Sequence, residues 1–138
     1  LLERSARLAN QYVVVKNSYS EELADAKDGV DGKTYGGPLS KHDAEEAAKK
    51  FLTPAIAPVL GKLLARFESL PGLSKQVWEE SFKKFVEEEG IKMGQIAQPV
   101  RVALTGRTAS PGLFEVMEVL GRDRTLLRLR RGLERASA

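Results

Sequence analysis

Apolar side chains recur every three or four residues along most of the chain, which is the spacing of amphipathic helices. Alternating strand patterns are nearly absent, so the sequence predicts an all-α fold. The predicted helices cover these ranges: 1–15, about 43–52, 54–70, 74–89, 94–104, 111–120 and 122–136.

Glycine, proline and small polar residues predict where these helices begin and end. Thr53-Pro54 and Ser110-Pro111 each place a capping hydroxyl before a proline, a pair that favours the first turn of a helix. Gly90 follows the last apolar positions of its segment and favours a left-handed helix end, Gly106 predicts a turn, and Gly121 predicts the end of a helix.

Glycine and proline also mark a predicted loop and a predicted domain boundary. Residues 16–42 are rich in glycine, aspartate and lysine and predict a long loop. The segment "LPGLS", residues 70–74, is the best boundary candidate. We therefore predict two small helical subdomains, one over 1–72 that contains the loop and one over 73–138.

Most of the conspicuous side chains fit structural roles. Trp78, Phe82 and Phe85 recur at helical spacing, which favours a place in the core over a stacking platform for bases. Met93 and Met117 are also expected to be packing residues.

Few residues offer catalytic or metal-binding chemistry. The chain has no cysteine and a single histidine, His42, which is expected at the surface. We find no nucleophile with a neighbouring base and therefore predict no catalytic residues and no metal site. An independent small enzyme is disfavoured. No apolar run is long enough to cross a membrane, and a membrane is not predicted as a partner.

The two parts of the chain differ in net charge. Residues 1–90 carry 13 Lys/Arg against 15 Asp/Glu, whereas residues 91–138 carry 9 Lys/Arg against 4 Asp/Glu. Arg124, Arg128, Arg131 and Arg135 follow one face of the last predicted helix, here called the arginine stripe. Such a positive surface suits a phosphate-bearing partner. A basic helical module that docks an acidic protein without binding RNA remains the alternative.

A turn beside this helix adds a second indication of nucleic acid. Arg101 and Arg107 flank Gly106, and a helix start follows at Ser110-Pro111. Guanidinium groups and free helix N–H groups are typical of sites that bind phosphates and splayed RNA bases.

Residues 94–133, "GQIAQPVRVALTGRTASPGLFEVMEVLGRDRTLLRLRRGL", resemble the C-terminal end of bacterial-type glutamyl-tRNA synthetases, which are class I aminoacyl-tRNA synthetases. The shared pattern is "QP-R-ALTG", then "SPGLFE", then "LG" and an Arg-rich helix. The resemblance implies an all-helical anticodon-binding domain of the α-helix cage type, made of two parts.

It also implies RNA contacts. Arg101, Ser110, Pro111 and Leu113 match motif positions that contact bases in the anticodon loop of tRNA(Glu). Contacts to the RNA backbone are expected by charge rather than by motif at Arg107, Arg124, Arg128 and Arg131. A residue of the first half should read a further anticodon position, but the motif does not place it.

For the whole enzyme, the resemblance implies a cytoplasmic and monomeric ligase that attaches glutamate to its tRNA with ATP and Mg. The ATP-binding signatures of that family do not occur in this sequence. We therefore expect a C-terminal fragment that is inactive alone, in keeping with its start at Leu1 rather than Met.

Overall fold

The computed structural model describes residues 41–72, 74–110 and 112–137. These residues form α-helices and connecting turns without a strand among them, which confirms the all-α prediction for this part of the chain. The helix predicted over 1–15 and the loop predicted over 16–42, apart from its last two residues, lie outside the described residues.

Six α-helices make up the described part. Their bounds are α1 Lys41–Phe51, α2 Ala57–Glu68, α3 Lys75–Glu89, α4 Met93–Thr105, α5 Leu113–Leu120 and α6 Arg122–Ser137.

Three glycines end helices as their positions predicted. Gly90 and Gly106 follow α3 and α4 with φ of 64° and 73°. Residues that carry a Cβ rarely adopt this left-handed region. Gly121 follows α5 with φ of 83° and lets the chain turn directly into α6.

The predicted start of α2 at Thr53-Pro54 is wrong. Residues 54–56 form a turn in which the N–H of Ile56 donates to the carbonyl of Thr53 at 3.1 Å, and α2 begins at Ala57. Pro58 is the reason, because it has no N–H to donate to the carbonyl of Pro54 in the first turn of a longer helix.

The predicted start of α5 at Ser110-Pro111 is also early. Gly112 precedes the first helical residue, Leu113. The hydroxyl of Ser110 accepts a hydrogen bond from Arg101 Nε at 3.0 Å, so it serves a tertiary contact and not the helix end.

Helix α6 packs against α2 and α4, and these three helices form the centre of the described part. The crossing of α4 and α6 depends on Gly132, since a Cβ placed there would lie 2.7 Å from the Cβ of Ala103. Leu126 and Leu129 of α6 are buried and Leu133 is partly buried against the same core, as predicted.

Aromatic residues join α2 to α3. The rings of Phe67 and Trp78 stack with centroids 4.5 Å apart, and both residues are fully buried. Phe82 and Phe85 are buried beside them, which confirms the predicted core. Of the two methionines only Met117 is buried; Met93 is 41% exposed, because it begins α4 at the surface.

A polar contact supports the same helix pair at its edge. Arg66 Nη1 donates to Glu88 Oε2 at 2.6 Å, and Arg66 Nε donates to the hydroxyl of Ser81 at 2.9 Å. The bond from Arg66 holds the pKa of the Glu88 carboxyl below its ordinary value.

The division into subdomains over 1–72 and 73–138 stays a prediction. Within the described residues, buried side chains from both sides of that boundary, such as Ala48, Leu60 and Leu129, belong to one hydrophobic cluster.

Candidate nucleic-acid interface

The end of α4 brings together two of the predicted site residues. Arg101 is partly buried and donates from Nε to Ser110 Oγ at 3.0 Å. Its Nη1 donates to Oε1 of Gln98, one helical turn earlier. These two bonds use two of the five N–H donors of the guanidinium group. They fix the plane of the guanidinium group and use only part of its hydrogen-bonding capacity.

The loop that follows, residues 106–110, has a defined start. The N–H of Gly106 donates to the carbonyl of Val102 at 2.7 Å. Thr105 is fully buried, and its hydroxyl donates to the carbonyl of Arg101 at 2.8 Å while accepting the N–H of Arg107 at 3.0 Å. A buried hydroxyl with both functions satisfied orients the first residues of the loop.

Gln98 holds the middle of this loop. Its Nε2 donates to the carbonyl of Thr108 at 2.9 Å, while its Oε1 accepts from Arg101. One side chain thus ties the arginine to the loop backbone. Gln98 was not predicted as a site residue, although it is the first residue of the motif "QP-R-ALTG" and lies three residues before Arg101 on a helix.

The other predicted base contacts differ in accessibility. Leu113 is 6% exposed and belongs to the hydrophobic core, so its side chain supports the start of α5. Pro111 lies outside the described residues. Arg107 is partly buried in the loop, next to the exposed Thr108 and Ala109.

The arginine stripe is not a uniformly exposed face, contrary to the prediction. Arg128 is 4% exposed, and its Nη1 donates to the carbonyl of Leu104 at 2.8 Å. Arg135 pairs with Glu45 of α1. Arg124 is exposed and Arg131 is partly buried.

Several arginines of α6 bind the ends of other helices. Arg122 Nη2 donates to the carbonyl of Glu68 at 3.1 Å, at the end of α2. Arg124 Nε donates to the carbonyl of Leu120 at 2.8 Å, at the end of α5. With Arg128 at the end of α4, three cations meet carbonyls that lack partners within their own helices. Each also lies at the negative end of a helix dipole. Part of the arginine content therefore stabilises the fold.

Two clefts border the loop and the start of α4. One, of about 680 Å³, lies between α1 and residues 106–109. The other, of about 420 Å³, lies between the end of α1, the turn at 53–56 and the first half of α4, with Ile56, Val59 and Pro99 in its lining. Lys50 lines both clefts.

The described residues contain no group of three or more His, Cys, Asp or Glu side chains arranged to hold a metal ion. His42 is exposed in the first turn of α1, as predicted. Among the described helices, none has the length and apolar character needed to cross a bilayer.

Comparison with known proteins decides the family. Residues 13–133 match the family model described as an anticodon binding domain. The chain belongs to this anticodon-binding family.

Two relatives of this chain are glutamate–tRNA ligases. The chain is 49% identical over 89 residues to a glutamate–tRNA ligase of Geotalea uraniireducens, an alignment that covers 64% of this chain and 19% of the relative. It is 47% identical over 100 residues to the glutamate–tRNA ligase of Desulfosudis oleivorans, with 72% of this chain and 21% of the relative covered. The chain thus spans about a fifth of the length of these relatives.

A solved structure is similar as well. It is a glutamate tRNA ligase from Elizabethkingia meningosepticum in complex with its amino acid. The TM-score is 0.59 at 29% sequence identity, and the alignment covers 65% of this chain and 18% of that chain.

In the anticodon-binding domain, two features of the site depend on the folded geometry. Gln98 links Arg101 to the loop, and α1 lies across a cleft from that loop. Helix α1 comes from the half of the chain in which the motif placed no site residue.

Proposed function

We propose that this domain is the tRNA-recognition portion of a glutamate–tRNA ligase and binds the anticodon loop of tRNA(Glu). The observation that carries the proposal is the pairing of Arg101 with Ser110 and Gln98 at an ordered loop of an anticodon-binding domain. A guanidinium held in a fixed plane can hydrogen-bond a base edge or a phosphate with defined direction.

The roles proposed for the site residues follow their accessibility. Arg101 and Ser110 contact bases, Pro111 keeps the base contact that its motif position implies, and Arg107, Arg124 and Arg131 neutralise phosphates. Leu113 and Arg128 are buried, which argues for support of the site in place of direct contact.

The whole ligase would attach glutamate to its tRNA with ATP and Mg, in the cytoplasm and as a monomer. ATP and Mg would be held by a catalytic domain outside this chain, which the relatives' greater length can accommodate. We expect the 138-residue chain alone to bind tRNA and not to aminoacylate it.

The direct test is RNA binding by Arg101→Ala. A stem-loop with the glutamate anticodon and one with a single changed anticodon base are titrated with the wild-type chain and the variant, by fluorescence anisotropy. A lost bidentate base contact costs about 1–3 kcal/mol. We expect Arg101→Ala to lose roughly tenfold or more in affinity for the matched loop and much less for the changed loop.

Lys83→Ala is the matched control, because it also removes one positive charge, at a side chain that is 61% exposed on α3. An equal loss on both loops would make Arg101 a phosphate contact and refute its role with bases. Absence of RNA binding by the wild-type chain at low salt would favour the alternative, a basic module that docks an acidic protein. The match to an anticodon-binding family does not favour that alternative.

A further inference from the structure

The larger of the two clefts lies at the candidate interface, between residues from the two halves of the chain. One wall is the exposed face of α1, and the other is the loop over residues 106–109. Its volume of about 680 Å³ lies within the range of small-ligand sites, about 300–1,000 Å³. The volume of one nucleotide fits in such a space.

Both walls are held in place. Helix α1 approaches the core through Ala44, Ala47 and Ala48, whose small side chains let it lie close to α4. The ion pair of Glu45 with Arg135 fixes α1 against α6. The opposite wall is fixed by the bond from Gln98 to the carbonyl of Thr108. A preformed cleft lowers the entropy lost on binding.

Charge is distributed unevenly along the α1 wall. Asp43 and Glu46 line the part nearer the start of the helix, and Lys49 and Lys50 line the part nearer its end. All four residues are exposed. Arg107 adds a cation from the loop wall. The cleft therefore offers hydrogen-bond acceptors at one end and positive charge at the other.

This arrangement matches a single nucleotide in one orientation. Phosphates need the cationic end, since the carboxylates would repel them. Carboxylates accept hydrogen bonds from the exocyclic amino group of a base, as in the pairing of Glu or Asp with cytosine N4. A free phosphate ion would leave the acidic end without a partner.

We propose that this cleft binds one unpaired nucleotide of the RNA, with its phosphate at Lys50 and its amino-bearing base edge at Glu46. The inference rests on the proposed function and extends the binding site from the loop after α4 to α1. Glu46 then determines base preference at one position, and Lys50 contributes affinity independent of sequence.

The test uses the 138-residue chain and the stem-loop RNA with the glutamate anticodon. Lys50→Ala should weaken binding about three- to tenfold and reduce the slope of log affinity against log salt by about 0.7–0.9. Glu46→Ala should weaken binding about tenfold, as expected for a lost base contact. In a set of stem-loops that each lack one base of the loop, the Glu46→Ala loss should disappear for one member only.

The results for the cleft variants separate this inference from the proposed function. Lys83→Ala again controls for the loss of one positive charge in Lys50→Ala, the base-free loops control Glu46→Ala, and thermal unfolding checks that every variant is folded. Wild-type affinity in both cleft variants, with a loss in Arg101→Ala, would overturn the cleft proposal and leave the proposed function intact. A Glu46→Ala loss that persists for every base-free loop would overturn the base contact. Failure of the wild-type chain to bind RNA would overturn both.

Discussion

Replacing Arg128 by methionine tests whether the arginine stripe serves the fold or the RNA. Methionine keeps most of the apolar stem but removes the guanidinium that donates to the carbonyl of Leu104 at 2.8 Å. A hydrogen bond from a charged donor contributes about 1.5–3 kcal/mol. Loss of the cation at the end of α4 adds up to about 2 kcal/mol in a buried geometry.

We therefore expect Arg128→Met to lower the free energy of unfolding by about 2–4 kcal/mol. For a chain of this length, each kcal/mol corresponds to about 3–5 °C in Tm, so Tm should fall by about 6–20 °C. Urea unfolding followed by circular dichroism at 222 nm measures the change. If the free energy of unfolding falls with urea concentration at the same slope in both proteins, the shift in midpoint reports a change in stability.

Arg130→Met is the matched control two residues along α6. Arg130 is 51% exposed and lies 3.8 Å from Glu68, so its loss should cost less than about 1 kcal/mol. If Arg128→Met lowered the free energy of unfolding no more than Arg130→Met, the hydrogen bond from Arg128 to Leu104 would not stabilise the fold as proposed. A variant with wild-type stability and lost RNA affinity would restore Arg128 as an RNA contact.

Three further substitutions test the packing and the hydrogen bonding near the site. Gly132→Ala should cost about 1–3 kcal/mol, because its Cβ would lie 2.7 Å from that of Ala103. Gly61→Ala should be neutral or stabilising by up to about 1 kcal/mol, because its Cβ would meet a side chain only at 3.8 Å. Equal Tm values for the two variants would contradict this account of the helix crossing. Thr105→Val should cost about 1–3 kcal/mol, since the N–H of Arg107 and the carbonyl of Arg101 lose a buried partner. It should also weaken RNA binding at a temperature where the variant is folded, and unchanged affinity would show that the loop does not depend on this hydroxyl.

Local signals predicted the helix ends well where the backbone itself imposed the requirement. Gly90 and Gly106 adopt positive φ, which few other residues tolerate, so their positions alone indicated where α3 and α4 end. Helix starts were less predictable, because a hydroxyl has other possible partners. Ser110 binds Arg101 instead of capping α5, and no local pattern distinguishes the two uses.

Periodicity placed Arg124, Arg128, Arg131 and Arg135 on one face of α6 correctly but could not show what faces them. The burial of Arg128 depends on the end of α4 being opposite it, 24 residues away in sequence. The same limit applies to Gln98, whose two partners lie at the end of α4 and in the loop.

The amino-acid sequence by itself determined the all-α class, the approximate extent of the described helices and the motif that resembles glutamyl-tRNA synthetases. These depend on properties that each residue carries with it: side-chain polarity, backbone freedom and spacing along a helix. Only the tertiary structure decided which arginines are exposed and which bind helix ends, and that α1 forms a cleft with the loop after α4. Both outcomes depend on contacts between residues far apart in the chain, which arise when the helices share one core and are not encoded in any local pattern.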